Sequence, residues 1–196
     1  MIFGRKKRNE NVDDDIEAEE AVVEADEQGP ALGDPERWDA EFSRDEGPFD
    51  ITEVDLEADE HEVNRLDLGT LIITPFQDMT MQLQVNRESN QVQSILVGDG
   101  QSALEVAVFA GPAKSSMTGE IRDEVLESTR QQGGRCQAVK GPFGTELRRA
   151  LPVKDPNGNP AMHLSRTWLV PGPGWVLRGV LLGHVANRRA APKVAF

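Results

Sequence analysis

The chain has one cysteine, three histidines and no long apolar run. A lone Cys136 excludes an intrachain disulfide, and no Cys/His spacing matches a zinc site, which fits a reducing compartment. No apolar stretch approaches the ~18 residues of a membrane-crossing helix. The opening Met-Ile-Phe-Gly-Arg-Lys-Lys-Arg puts cations where a secretory signal would, but Asp13-Asp14-Asp15 follows in place of an apolar region. Residue 2 is Ile, so no myristoyl signal accompanies the four cations. A soluble, cytoplasmic protein is expected.

Catalytic signatures are missing as well. The glycine-rich turns lack the Lys-Ser/Thr of a phosphate loop and precede strands, so no helix N-terminus would face an anion. Gly-Pro-Phe-Gly-Thr is not a nucleophile elbow. No carboxylate pair in the folded body has a spacing that forces the two acids together, as acid/base work requires. His61 falls in an acidic stretch, His163 opens a strand and His184 follows the last one. No catalytic residue, metal ligand or cofactor is expected.

What is present is uneven charge. Residues 1–8 carry +4; residues 9–66 carry 23 acids against three bases, net −20; residues 67–196 are at +3. The formal charge of −13 thus belongs to the leader, and the body is mildly basic. A segment so rich in like charge and poor in large side chains cannot offset its ordering entropy by burial. Residues 1–65 are therefore expected to be a disordered tail, basic over 1–8 and acidic over 9–65.

Two spots in that tail stand out. Asp34-Pro35 reads as an N-cap followed by proline at the first helical position, with Trp38 and Phe42 at i, i+4 before Gly47-Pro48 stops the turn. Trp38 and Phe42 form a candidate linear docking element, for the protein's own body or for a foreign partner. Phe49 to Ile51, with Val54 and Leu56, is expected along a sheet edge. The tail could also screen the basic body from other polyanions, since tethering gives it an effective concentration on the order of mM.

The body is expected over residues 66–183. Leu71–Ile73 reads as a short strand; Met81, Leu83 and Val85 alternate with polar residues as a strand with one wet face. Val92–Val97 and Ala103–Phe109 follow, the latter a central strand covered on both sides. Met117, Ile121 and Val125 recur every four residues, predicting an amphipathic helix of about four turns that ends at Gly133-Gly134. Cys136–Val139, Glu146–Val153, Met162–Val170 and Trp175–Leu182 are strands, the middle pair joined by the hairpin signal Asp155-Pro-Asn-Gly-Asn159. The pattern predicts an α+β fold, a mostly antiparallel sheet packed against one main helix. Residues 184–196 read as a basic, Ala-rich segment for which the pattern predicts no element.

The candidate binding residues of the body are Arg148, Arg149, Arg166, Trp168, Trp175 and Arg178. Arginine near aromatic faces can bind phosphate or stack on bases. A buried arginine also pairs with a structural carboxylate, for which Glu146 and Glu105 are the candidates. A body charge of +3 is low for a nucleic-acid domain.

Two stretches, Gly141-Pro-Phe-Gly-Thr-Glu-Leu-Arg148 and Gly174-Trp-Val-Leu-Arg-Gly179, join the Ala103–Pro112 run and the basic start with its acidic tail. Together they resemble an uncharacterised actinobacterial family known only as a domain of unknown function. The resemblance covers roughly Leu66 to Gly183 and implies a cytoplasmic protein with no established activity and no assigned catalytic residues. It also implies a further helix and apolar strand after the last strand, where this chain has only its Ala/Arg-rich end. The expected function is a non-catalytic binding or adaptor module with a protein partner. Weak single-stranded nucleic-acid or nucleotide binding is the alternative, and an enzyme of unknown class a second one.

Overall fold

The computed structural model describes residues 33–58, 63–88, 91–112 and 117–187. The expectations for residues 1–32, His61 and residues 188–196 lie outside the described residues.

Among the described residues a short helix, α1 (Pro35–Glu41), comes first. The strands β1 (Leu66–Asp67), β2 (Ile72–Ile73), β3 (Thr80–Val85), β4 (Val92–Gly98) and β5 (Ser102–Ala110) follow. The main helix α2 (Thr118–Gln131) precedes β6 (Arg135–Gly141), β7 (Gly144–Lys154), β8 (Pro160–Gly172) and β9 (Trp175–Gly183). β1 and β2 pair as a separate ribbon, and the other strands form one sheet in the order β3-β4-β5-β9-β8-β7-β6. Every neighbouring pair is antiparallel. The mostly antiparallel α+β expectation holds.

Two meanders meet in the middle. The turns after β3 and β4 close the first, and those after β6, β7 and β8 close the second. Asp155 makes the β7–β8 turn, its Oδ1 accepting from the Asn157 and Asn159 amides, each at 2.8 Å. β5 and β6 run the same way, four antiparallel steps apart, so a crossover must join them, and α2 is that crossover. The helix stops where the sequence says: Gly133 has φ +71°, and the amides of Gly133 and Gly134 return to Arg130 O and Thr129 O, each at 2.9 Å.

Directly opposed residues share a face, so the register sorts the side chains. Ile95, Val106, Leu177, Val170 and Leu181 lie on one face; Ala107, Val176, Leu169 and Leu147 lie on the other. α2 packs on the second face, where Gly134 brings Thr129 of the helix beside Leu151. The core cluster of Val106, Val170 and Leu177 is on the first face. It is packed not by the helix but by Phe42, Leu71 and Phe143, beside Leu104, Val108 and Trp175.

That corrects the expected boundary. The compact unit begins at Gly33, not near 66, and residues 33–58 lie on the body with a helix and a 3-10 turn of their own (Ile51–Glu53). The segment covers apolar sheet surface that the helix leaves bare, an arrangement that composition alone does not reveal. The edge-strand expectation for Phe49–Ile51 also fails. Asp50 and Glu53 form a capping box that winds residues 51–53 into a 3-10 turn, and Phe49 and Ile51 are exposed.

Candidate functional site

α1 is the short helix its sequence announces. Asp34 Oδ1 accepts from the Arg37 amide at 3.0 Å, Pro35 opens the helix, and the chain turns extended at Phe42. Seven residues do not hold a helix in water. Its support comes from the far end of the β6–β7 hairpin and from α2.

Three side chains of α1 meet that surface. Asp39 Oδ1 accepts from the Thr145 amide at 2.8 Å while its Oδ2 accepts from Arg122 Nη1, also at 2.8 Å. The second arm of the same guanidinium, Nη2, reaches Glu36 Oε1 at 2.7 Å. Thr145 Oγ1 donates to Pro35 O at 3.0 Å, and Lys140 Nζ sits 2.7 Å from Glu41 Oε2. A fork-shaped cation gripping two carboxylates is the geometry guanidinium favours. Arg122 is 5% exposed, so these contacts work in a partly desolvated setting. Gly144 makes the approach possible: at φ +80° it turns the hairpin, and a Cβ there would stand 2.8 Å from Asp39 Oδ1.

The chain then crosses to the first sheet face. The Phe42 and Phe143 rings meet edge to face at 5.9 Å, and Phe143 meets Trp168 the same way at 5.9 Å. Further on, Arg44 forms a two-pronged pair with Glu53 at 2.7 and 2.8 Å and lies over the Trp175 ring, 5.4 Å from its centroid. Trp175 Nε1 donates to Asp50 Oδ2 at 2.7 Å.

The electrostatics follow. Glu41 is held down at about 2 by its bonds to Lys140 and Arg37. Asp50 is lowered by the Thr52 hydroxyl and amide and by Trp175, and Glu53 by Arg44.

The expected binding residues divide. Trp38 and Phe42 do not act as one face: the helix ends at Glu41, Phe42 turns to the sheet, and the Trp38 ring folds over Gly33. Arg148, Arg166 and Trp168 share the first sheet face, with Glu146 among them; Arg149 and Arg178 are on the opposite face. Glu146, 0% exposed, accepts from Arg148 Nε at 2.8 Å and stands 3.8 Å from Arg166 Nε, which also donates to Ala186 O at 3.0 Å. Burial pushes the Arg166 guanidinium down, against the pull of Glu146. Arg178 Nη2 pairs with Glu105 at 3.0 Å, and the guanidinium carbon Cζ lies 5.2 Å from the Phe109 centroid. These are the carboxylates named from the sequence as structural partners. Trp168 and Arg166 are each 2% exposed, so neither offers a ring or cation for a base to stack on. Trp175 is engaged by Asp50 and Arg44.

Arg122, the centre of the arrangement, escaped the sequence reading. The helix was read by its apolar stripe at Met117, Ile121 and Val125, yet its buried residues are Thr118, Arg122 and Thr129. The signal available was their spacing, i, i+4 and i+11, which lies on one helical face.

A family model described as protein of unknown function, DUF3710, matches residues 47–195. The chain belongs to DUF3710. The DUF3710 match opens 19 residues before the Leu66 start suggested by the motifs, and takes in Asp50 and Glu53 as well as Arg122, Lys140, Phe143, Thr145 and Trp175. α1 stands ahead of the DUF3710 match. No curated protein and no solved structure matches the chain. Among the described residues, no helix is long and apolar enough to cross a membrane.

Proposed function

We propose that this chain is a non-catalytic binding module for a protein partner, with its acidic N-terminal segment as a docking element seated on its own body. The observation that carries the reading is Asp39 on Arg122 and the Thr145 amide: an acidic helix held on a folded surface as a bound peptide is held. Screening of basic body groups is the same contact seen from the other side, since Glu36, Asp39 and Glu41 answer Arg122 and Lys140. The test is capture of interacting proteins by the full chain, beside Trp38→Ala, Phe42→Ala and Arg122→Gln. The reading expects one reproducible set of proteins whose recovery changes when α1 or Arg122 is altered. Recovery indifferent to all three substitutions contradicts it.

A further inference from the structure

Among the described residues, the body supplies Arg122 with no carboxylate of its own. Among the described residues, both of its acidic partners, Glu36 and Asp39, come from α1, and its other side-chain hydrogen bond goes to Thr145 Oγ1 at 3.4 Å. A nearly buried guanidinium, an amide pointing at a carboxylate, a lysine and an aromatic ring thus lie together on body elements, and the carboxylates that Arg122, the Thr145 amide and Lys140 meet come from the 33–58 segment, as does the Phe42 ring against Phe143. That segment is lightly attached: no residue of α1 is buried, and Glu36 is 78% exposed at its side chain. An element with so little buried area opens at low free energy.

We infer that Arg122, Thr145, Lys140 and Phe143 form a receptor for an acidic, aromatic-bearing peptide of a partner protein, and that α1 is its internal occupant. This rests on the binding-module reading and names the partner's chemistry. The seated segment supplies the pattern: an acid, a second acid three residues on, and a phenylalanine three further, as Glu36, Asp39 and Phe42. The first two share the guanidinium, the second also takes the Thr145 amide, and the phenylalanine meets Phe143 edge to face. Glu41 on Lys140 adds a fourth, exposed contact. A partner carrying this pattern must displace a tethered competitor present at an effective concentration on the order of mM, so the receptor is selective for partners that bring further contacts or high local concentration.

The experiment uses the full chain and a fluorescein-labelled synthetic peptide of residues 33–58 as probe, read by anisotropy. The wild type should bind it weakly, because α1 occupies the receptor. The double substitution Asp39→Ala with Phe42→Ala should bind about tenfold tighter or more. Adding Arg122→Gln to that background should abolish the gain, and a peptide lacking the same two side chains should not compete. Phe42→Ala alone gives an intermediate gain and serves where the double variant melts early; tryptophan near-UV circular dichroism scores folding.

Equal binding by wild type and the α1 variants overturns the proposal, as does a folded double variant that binds no peptide or one unaffected by Arg122→Gln. Displacement of the probe by millimolar inorganic phosphate as readily as by peptide reduces the receptor to a simple oxyanion site; that sinks the peptide assignment while leaving the binding module standing. A concentration-dependent wild-type dimer that trades α1 between copies replaces the foreign partner by a second chain and likewise overturns it. The capture experiment above scores the module reading separately.

Discussion

Arg122 and Asp39 are 83 residues apart in sequence and meet at 2.8 Å. That contact joins a helix of the body to a segment that, judged on its own composition, has no reason to fold. Arg122→Ala removes the shared partner of Asp39 and Glu36 and opens a hole beneath α1. Loss of stability of roughly 1–3 kcal/mol is expected in urea denaturation, the range for unpairing a charge-assisted hydrogen bond at a partly buried site. Glu36→Ala, which removes an exposed carboxylate, should change the stability by less than about 1 kcal/mol.

Gly144 tests the close approach. Alanine there meets two penalties, the left-handed backbone at φ +80° and the Asp39 carboxylate 2.8 Å from its Cβ. The backbone term alone costs on the order of 1 kcal/mol. Gly144→Ala should also speed amide exchange across residues 35–42 more than Gly158→Ala does. Gly158 has the same sign of φ but open space around its Cβ position.

Acid should loosen the segment in a defined window. Glu41 falls from an ordinary 4.5 to about 2 because Lys140 and Arg37 bind its charged form. A carboxylate depressed in the folded state contributes stability above its unfolded value, and that contribution is lost as pH falls through its folded value. Attachment of α1 should therefore weaken between about pH 4.5 and 2, with Asp50 and Glu53, lowered by Thr52 and Arg44, acting in the same direction. Side-chain NMR titration checks this. Lys140→Met should move the Glu41 titration back toward its ordinary value, and high salt should do so in part, since the group is exposed.

The buried acid of the first sheet face predicts a different magnitude. Glu146 is 0% exposed and faces both Arg148 and the 2%-exposed Arg166. Glu146→Ala takes away the buried carboxylate that faces both Arg148 and Arg166 and should cost about 3–5 kcal/mol. Arg148→Ala, whose side chain is 40% exposed but whose Nε bonds the buried Glu146 carboxylate at 2.8 Å, should cost less, about 1–3 kcal/mol. The two denaturation midpoints, compared directly, separate a structural ion pair from a ligand contact.

The body was largely legible in the sequence. Strand alternation, the Asp-Pro-Asn-Gly-Asn turn and the Gly-Gly stop each act over a few residues and need no distant partner. The same period-2 logic led to Glu105 and Glu146 as partners for arginine. What escaped was long range. The acidic segment looked unfoldable because its support comes from Arg122, Lys140 and Thr145, some 83 to 110 residues away. The cap at Asp34 and the aromatic at Phe42 were visible, but nothing local says where a marginal helix will rest. Arg122 was hidden by its own helix, in which an apolar stripe drew the reading to the neighbouring face.

One amide reports most directly on whether α1 belongs to the folded body. The Thr145 N–H is bonded to Asp39 Oδ1 at 2.8 Å. In the wild-type chain this amide should exchange slowly, and in Asp39→Ala it should exchange markedly faster while Leu147, deeper in β7, keeps its protection. A Thr145 amide that exchanges freely in the wild type, or one indifferent to Asp39→Ala, would contradict the seating of the acidic helix on its receptor.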